Sequence, residues 1–272
     1  MKHFLPLLFI LISSCSNGSE GGIIYTGSTP ADKVVRNFLG ISLTDSIDFI
    51  RWKLSLDGDS YTVSCNYGIG KPNTNGFING GKLVEIKGQL KKEGSYYFLQ
   101  NNDKKLAMAE LNSDLLHLLD ADKNLLVGTA GWSYTLGNEK PINTDHFSIA
   151  SKKIILKDSI AFHGRTPCIE YEEIKRRSDC YKLKWSIVLY ADKTNNPAIY
   201  SLRGTVNEHK TKTGTWTMTT GKDGRTIIHL LSENKESLYF LMPDENILLF
   251  TDADGKLLVG DKDFSYTLNR RL

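Results

Sequence analysis

Residues 120–136, DADKNLLVGTAGWSYTL, occur again 132 positions later as residues 252–268, DADGKLLVGDKDFSYTL. The two stretches are identical at 11 of 17 positions without a gap, which is too many for chance and indicates that one module is present twice. Apolar residues recur between the copies, whereas residues 129–131 change from Thr-Ala-Gly to Asp-Lys-Asp. This retained framework predicts a hairpin that closes a β-barrel, with the rings of Trp132 and Phe264 packed inside their own barrels.

The repeat extends towards the beginning of each module. YTGSTPA at 25–31 and FHGRTPC at 162–168 share Gly, Thr and Pro at the same spacing. Farther along, WKLSL at 52–56 corresponds to WSIVL at 185–189. The chain therefore contains two modules, each the size of an ordinary domain.

Within a module, apolar and polar residues alternate, as at 52–56 and 61–67, which is typical of half-buried strands. Gly- and Asp-rich turns separate these strands, so we predict an all-β protein of two tandem, small antiparallel meander barrels. The assigned segments are a signal peptide at 1–14, a lipidated cysteine and flexible tether at 15–22, a first barrel at 23–137, a linker at 138–158 and a second barrel at 159–272.

One short helix is expected, in the first module only. Thr29 is a candidate N-cap, and Pro30 suits the first helical position. The apolar residues at 34–39 form a stripe, and Gly40 is a plausible stop. This helix would plug one mouth of the first barrel, and residues 168–180 take its place in the second module.

The N-terminal residues indicate export. Residues 4–12 form an apolar run of signal-peptide length, too short to span a bilayer as a helix. The following Ile-Ser-Ser-Cys resembles a bacterial lipobox, so Cys15 is the expected lipidation site and the membrane a partner through this anchor. The alternative is a plain secretory signal with an incidental cysteine. The expected location is the Gram-negative cell envelope, in the outer membrane, facing the periplasm or the cell surface.

The remaining cysteines carry a second prediction. Cys168 and Cys180 are 12 residues apart within one module, and we expect them to form a disulfide in an oxidising compartment. The alternative is two separate thiols. Cys65 lies on the inward face of its strand and is expected to be a buried free thiol.

Few residues point to chemistry. The sequence has no metal-binding Cys or His motif, and the Asp120-x-Asp122-x-Asn124 run lacks the later ligands of a calcium loop, so a turn is expected there. His117 is expected to be a core or rim histidine with its hydrogen bonds satisfied, and no metal site or cofactor is assigned. No catalytic motif stands out, so the protein is not expected to be an enzyme. The net charge of +3 argues against a nucleic-acid partner.

The sequence at 164–168, Gly-Arg-Thr-Pro-Cys, the meander and the lipobox together resemble the N-terminal domain of the NlpE family. That family comprises envelope lipoproteins linked to copper resistance and to surface or envelope stress sensing. The resemblance implies a small lipocalin-like barrel that begins with Gly-x-x-Pro-Cys-x-x-Cys. Here Tyr171 stands where the second cysteine belongs, and the first module has neither cysteine.

The expected function is that of a binding or stress-sensing module, non-catalytic, with an envelope protein as a candidate partner. The first alternative is a lipocalin-like carrier of a small apolar ligand, and the second is an enzyme inhibitor or an enzyme of unknown reaction. A hollow barrel would favour the carrier, and a barrel filled by side chains would favour the interaction module. No ligand-binding residue is assigned from the sequence.

Overall fold

A computed structural model describes residues 22–142, 146–168, 180–205, 208–221, 223–233 and 236–271. These residues form two closed, eight-stranded antiparallel barrels, which confirms the predicted fold class. Consecutive strands are neighbours in each barrel, and the last strand pairs with the first. Because each barrel is closed, neither has the two free edge strands of an open sheet.

The first barrel contains eight strands and one α-helix. In chain order they are β1 (Ile23–Thr29), α1 (Lys33–Leu39), β2 (Phe49–Asp57), β3 (Ser60–Gly68), β4 (Lys82–Glu93), β5 (Tyr96–Asn101), β6 (Lys104–Asn112), β7 (Leu115–Leu118) and β8 (Thr135–Asn138). A short 3-10 turn at Ile78–Gly80 precedes β4.

The second barrel repeats this strand order. Its strands are β9 (Ser159–Thr166), β10 (Leu183–Ala191), β11 (Pro197–Gly204), β12 (Thr211–Thr220), β13 (Thr226–Ser232), β14 (Ser237–Asp244), β15 (Ile247–Thr251) and β16 (Thr267–Arg270). Residues 169–179, which take the place of the helix in the sequence, lie outside the described residues.

The helix α1 lies where the apolar stripe predicted it, but its N-cap is Asp32 and not Thr29. The Asp32 carboxylate accepts a 2.9 Å hydrogen bond from the backbone N–H of Val35. The hydroxyl of Thr29 does not cap the helix and instead accepts a hydrogen bond from the indole N–H of Trp52 at 2.9 Å. Gly40 ends the helix in the left-handed conformation, as expected.

The same Thr–Trp pair is present in the second barrel. The indole N–H of Trp185 donates to the hydroxyl of Thr166 at 2.8 Å. Both tryptophans are buried, and a buried indole N–H needs a hydrogen-bond acceptor, which the threonine supplies in each barrel. The repeated Gly-x-Thr-Pro sequence therefore anchors the central tryptophan of each barrel.

Side chains fill the interior of both barrels among the described residues. A side chain that lined a water-sized cavity would expose surface to it, whereas the side chains of the two barrel cores are at most 8 % exposed. They include Trp52, Tyr25, Tyr61, Phe38 and Leu54 in the first barrel and Trp216, Phe162, Phe240 and Phe250 in the second. The interior is a packed core of the kind found in small barrels.

The three cysteines in the described residues, Cys65, Cys168 and Cys180, have the predicted states. Cys168 and Cys180 form a disulfide with Cα atoms 6.2 Å apart, next to the core of the second barrel. Cys65 is a buried free thiol, and its burial raises its pKa well above the ordinary value. Cys15 and the signal peptide lie outside the described residues. No helix in the described part of the chain is long and apolar enough to cross a bilayer.

Candidate functional site

The two barrels share a third hydrophobic core that lies between them. Strands β7 and β15 have every residue buried, because one face of each strand points into its own barrel and the other meets the neighbouring barrel. The first barrel contributes Ala109, Leu111, Leu115, Leu119 and Leu125, and the second contributes Leu241, Ile247, Leu249 and Leu257. The repeated hairpin therefore joins the barrels as well as closing them.

The repeated Ser-Tyr-Thr-Leu sequence at 133–136 and 265–268 alternates between the two cores. Tyr134 and Leu136 pack in the first barrel, and their equivalents pack in the second. Between these apolar residues, the hydroxyls of Ser133 and Ser265 lie 2.6 Å apart. Polar residues are thus retained at the contact between the barrels as well as apolar ones inside them.

A buried histidine extends this polar contact. His117 is completely inaccessible to solvent; its Nε2–H donates to the carbonyl oxygen of Leu126, and its Nδ1 accepts from the hydroxyl of Thr135, both at 2.9 Å. Burial lowers the pKa of His117 from 6.5 to about 4, against a smaller opposing effect of the hydrogen bond to Leu126. The ring is therefore a neutral, fully bonded core histidine, as the sequence predicted, and is not available as a ligand.

The inward packing predicted for Trp132 and Phe264 is wrong. Trp132 is only half-buried and stacks on the ring of Phe49, with ring centroids 4.7 Å apart. Phe264 is buried, but Lys182 lies over its ring, 5.9 Å from the centroid. Both aromatic residues border a cleft where the barrels meet. The sequence pattern did not show this because an aromatic side chain at a strand end can pack into a barrel or against a neighbour.

A row of stacked groups crosses from one barrel to the other, and three of its members, Phe49, Trp132 and Arg165, line the cleft. The ring of Phe77 stacks on that of Phe49 with centroids 4.3 Å apart, and Phe49 stacks in turn on Trp132. The guanidinium of Arg165, from β9 of the second barrel, lies 5.4 Å from the centroid of Trp132. Such cation–π contacts hold a guanidinium in place while leaving its N–H donors available.

The cleft has a volume of about 190 Å³. The first barrel contributes Asp48, Phe49, Trp132 and the loop at 70–75, and the second contributes Arg165, Lys182, Asp263 and Phe264. Among the described residues, no carboxylate lies within ion-pair distance of Lys71, Arg165 or Lys182.

The two carboxylates of the cleft are already engaged. Asp263 forms an ion pair with Arg51 and accepts a 3.1 Å hydrogen bond from the side-chain amide of Asn75, so it also ties the second barrel to the first. Asp48 accepts a 2.7 Å hydrogen bond from the backbone N–H of Gly70 and holds the cleft loop. The cleft thus presents an excess of positive charge.

The described residues contain no cluster of His, Cys, Asp or Glu that could hold a metal ion. The Asp120 carboxylate accepts hydrogen bonds from the backbone N–H groups of Asp122 and Asn124, which makes the predicted turn. Cys168 is committed to a disulfide and does not present a thiolate. Sequence reasoning assigned no ligand site and missed the cleft.

Residues 162–261 match the family model of the NlpE N-terminal domain. The match covers most of the second barrel, from β9 to the residues after β15, and it confirms the resemblance drawn from the sequence. No curated protein and no solved structure matches the chain. The chain is therefore a tandem of two β-barrels, the second of which is similar to the NlpE N-terminal domain.

Proposed function

We propose that this protein is a lipid-anchored lipoprotein of the Gram-negative envelope that acts as a non-catalytic binding or stress-sensing module. The observation that carries the proposal is the match of residues 162–261 to the NlpE N-terminal domain. The lipobox at residues 12–15 supports the anchor, since its cysteine is the residue that such a site would acylate.

The packed interiors support an interaction module over a carrier. A barrel that carried an apolar ligand would need an internal cavity, whereas the aromatic side chains in the cores of both barrels are at most 8 % exposed. Binding is therefore assigned to the outer surface, where the cleft between the barrels combines aromatic and charged side chains. Clefts between domains are common ligand sites.

The hydrogen bonds made by the buried titratable groups support a non-catalytic role. Burial raises the pKa values of Asp244 and Asp261, and each carboxylate accepts backbone N–H groups of its own turn. His117 is fully bonded inside the interface. These groups hold loops and strands in place, and they do not converge on one cleft as the acid and base of an enzyme would.

The anchor is tested by labelling. We would produce the full chain and the Cys15→Ser variant in a Gram-negative host with labelled palmitate and separate membranes from soluble proteins. The wild-type chain should carry the label and sediment with membranes, and Cys15→Ser should lose both. Cys65→Ala is the matched control, because it removes a cysteine of the first barrel and should leave the label unchanged. Membrane-bound, labelled Cys15→Ser would contradict the anchor.

Stress sensing is tested in the same cells with a transcriptional reporter of envelope stress. Increased production of the anchored chain should change the reporter output, whereas the Cys15→Ser chain at equal abundance should not. A reporter that responds equally to both chains, or to neither, would contradict an anchored sensing role.

A further inference from the structure

We propose that the cleft between the barrels binds a small, ring-containing oxyanion, such as a sugar that carries a carboxylate or phosphate group. This inference rests on the binding role proposed above and assigns it a site and a class of ligand. The volume of about 190 Å³ is smaller than the roughly 300–1,000 Å³ of typical ligand pockets, so the ligand is a small one.

The charge of the cleft selects an anion. Lys71, Arg165 and Lys182 border the same space, and none of them has an ion-pair partner among the described residues. The carboxylates on the wall offset them only in part, because Asp263 is paired with Arg51. A guanidinium offers planar, paired N–H donors that match a carboxylate or a phosphate.

The other lining residues select a ring. Trp132 is half-buried, and Pro72 adds a second apolar surface from the loop of the first barrel. Asn73, in the same loop, supplies an amide that can donate to and accept from hydroxyl groups. Because Arg165 already lies against Trp132, an oxyanion held by the guanidinium would lie beside the indole. An anion with an attached ring therefore uses more of the cleft than an anion alone.

The ligand would contact both barrels at once. Lys71 and Trp132 belong to the first barrel, whereas Arg165 and Lys182 belong to the second. A ligand that binds only the paired arrangement stabilises it by mass action. Occupancy of the cleft would thus be coupled to the association of the barrels.

Trp132 provides a direct readout. The other three tryptophans, Trp52, Trp185 and Trp216, are only 1, 3 and 2 % exposed, so a soluble quencher reaches Trp132 first. We would use the full mature chain with Cys15→Ser and compare quenching by iodide and by caesium. The positive cleft should make iodide the better quencher of the accessible tryptophan, and Trp132→Phe should remove that component.

Binding is then measured by titration with four probes: galacturonate, glucose 6-phosphate, neutral glucose and inorganic phosphate. The two charged sugars should change Trp132 fluorescence saturably, and glucose and inorganic phosphate should bind at least about tenfold more weakly. Arg165→Gln and Lys182→Gln should each weaken binding of the charged sugars about tenfold or more. Lys193→Gln, in the exposed β10–β11 turn, should leave it unchanged, and Arg165→Lys should restore part of the loss.

The melting temperature of each variant separates loss of the site from loss of the fold. No saturable change with either charged sugar, equal affinity for glucose or for inorganic phosphate, or normal binding by folded Arg165→Gln would overturn the inference. If the cleft binds none of the probes while the anchored chain still drives the stress reporter, the ligand site is wrong and the proposed function stands. If the charged sugars bind and Cys15→Ser stays in membranes, the anchor is wrong and the site stands.

Discussion

The hydroxyl oxygens of Thr135 and Thr267 lie 2.9 Å apart, although the two residues are separated by 132 positions in the chain. They occupy the same position in the two repeats, as do Ser133 and Ser265. A contact in which each half uses the same residues is the arrangement found in two-fold symmetric dimers. The barrels thus pair as two subunits of a homodimer would, within one chain.

Removing the Thr135 hydroxyl should cost more than removing that of Thr267. Thr135→Val deprives the buried Nδ1 of His117 of its partner, whereas Thr267→Val leaves the bond between His117 and Thr135 intact. We expect losses in the free energy of unfolding of about 1–3 kcal/mol and about 1 kcal/mol, respectively. Urea unfolding measures both, with Thr213→Val on an exposed part of β12 as the control. Equal losses would contradict the importance of the bond between Thr135 and His117.

Paired cysteines should lock the two barrels together. The Ser133 and Ser265 hydroxyls are 2.6 Å apart, so Ser133→Cys combined with Ser265→Cys is expected to form a disulfide under oxidising conditions. Peptide mapping without reductant should recover the fragments containing residues 133 and 265 as a linked pair. The single variants should stay unlinked, and a double variant that stays reduced would show that the two serines are not in contact in solution.

Truncating the rings at the cleft should affect both barrels. Phe264→Ala removes a buried ring and should lower the free energy of unfolding by about 3 kcal/mol, while half-buried Trp132→Ala should cost less. Because the barrels share a core, hydrogen exchange should rise in β7 and β15 together in either variant. Exchange confined to the barrel that carries the substitution would show that the barrels are stable independently.

Stability should fall in mild acid because of His117. Its pKa is about 4 in the folded chain against an ordinary value of 6.5, so between these pH values the unfolded chain binds a proton that the folded chain does not. The contribution of this group is therefore lost as pH falls from about 6.5 to about 4, by about 3 kcal/mol in total. His117→Leu, which copies the equivalent Leu249, should flatten this part of the profile. An unchanged slope in that variant would assign the acid sensitivity to other groups.

The strand pattern and turns of the sequence were sufficient to predict two meander barrels, because alternation at 52–56 and 61–67 follows directly from one buried face. The sequence pattern that indicates the contact between the barrels is weaker than the pattern that indicates the strands. Residues 115–119 and 247–250 are almost continuously apolar, which is typical of strands buried on both faces. Runs this short also occur inside single domains, so they predicted a core position for His117 and did not reveal the second buried face.

The N-cap of α1 and the cleft between the barrels could not be predicted from the sequence, because both depend on contacts between distant segments. Thr29 has the properties of a helix cap, and only the position of Trp52, 23 residues away, shows that its hydroxyl is already used. The cleft joins Phe49, Trp132 and Arg165, which no sequence motif connects. Local patterns thus predicted the elements, and the site followed from how the closed barrels meet.

The linker that joins the barrels also favours their pairing within one chain over pairing with a barrel of another chain. Its described residues contact both barrels, since the N–H of Ser148 donates to the carbonyl of Leu111 and the N–H of Lys152 donates to that of Pro243, both at 2.7 Å. A short connection of this kind gives each barrel an effective concentration of its partner of about the millimolar range. A barrel from another chain could use the same self-complementary surface, but only at comparable concentrations. Two barrels on separate chains would associate only at a sufficient protein concentration. Because both barrels are here in one chain, their association does not depend on protein concentration.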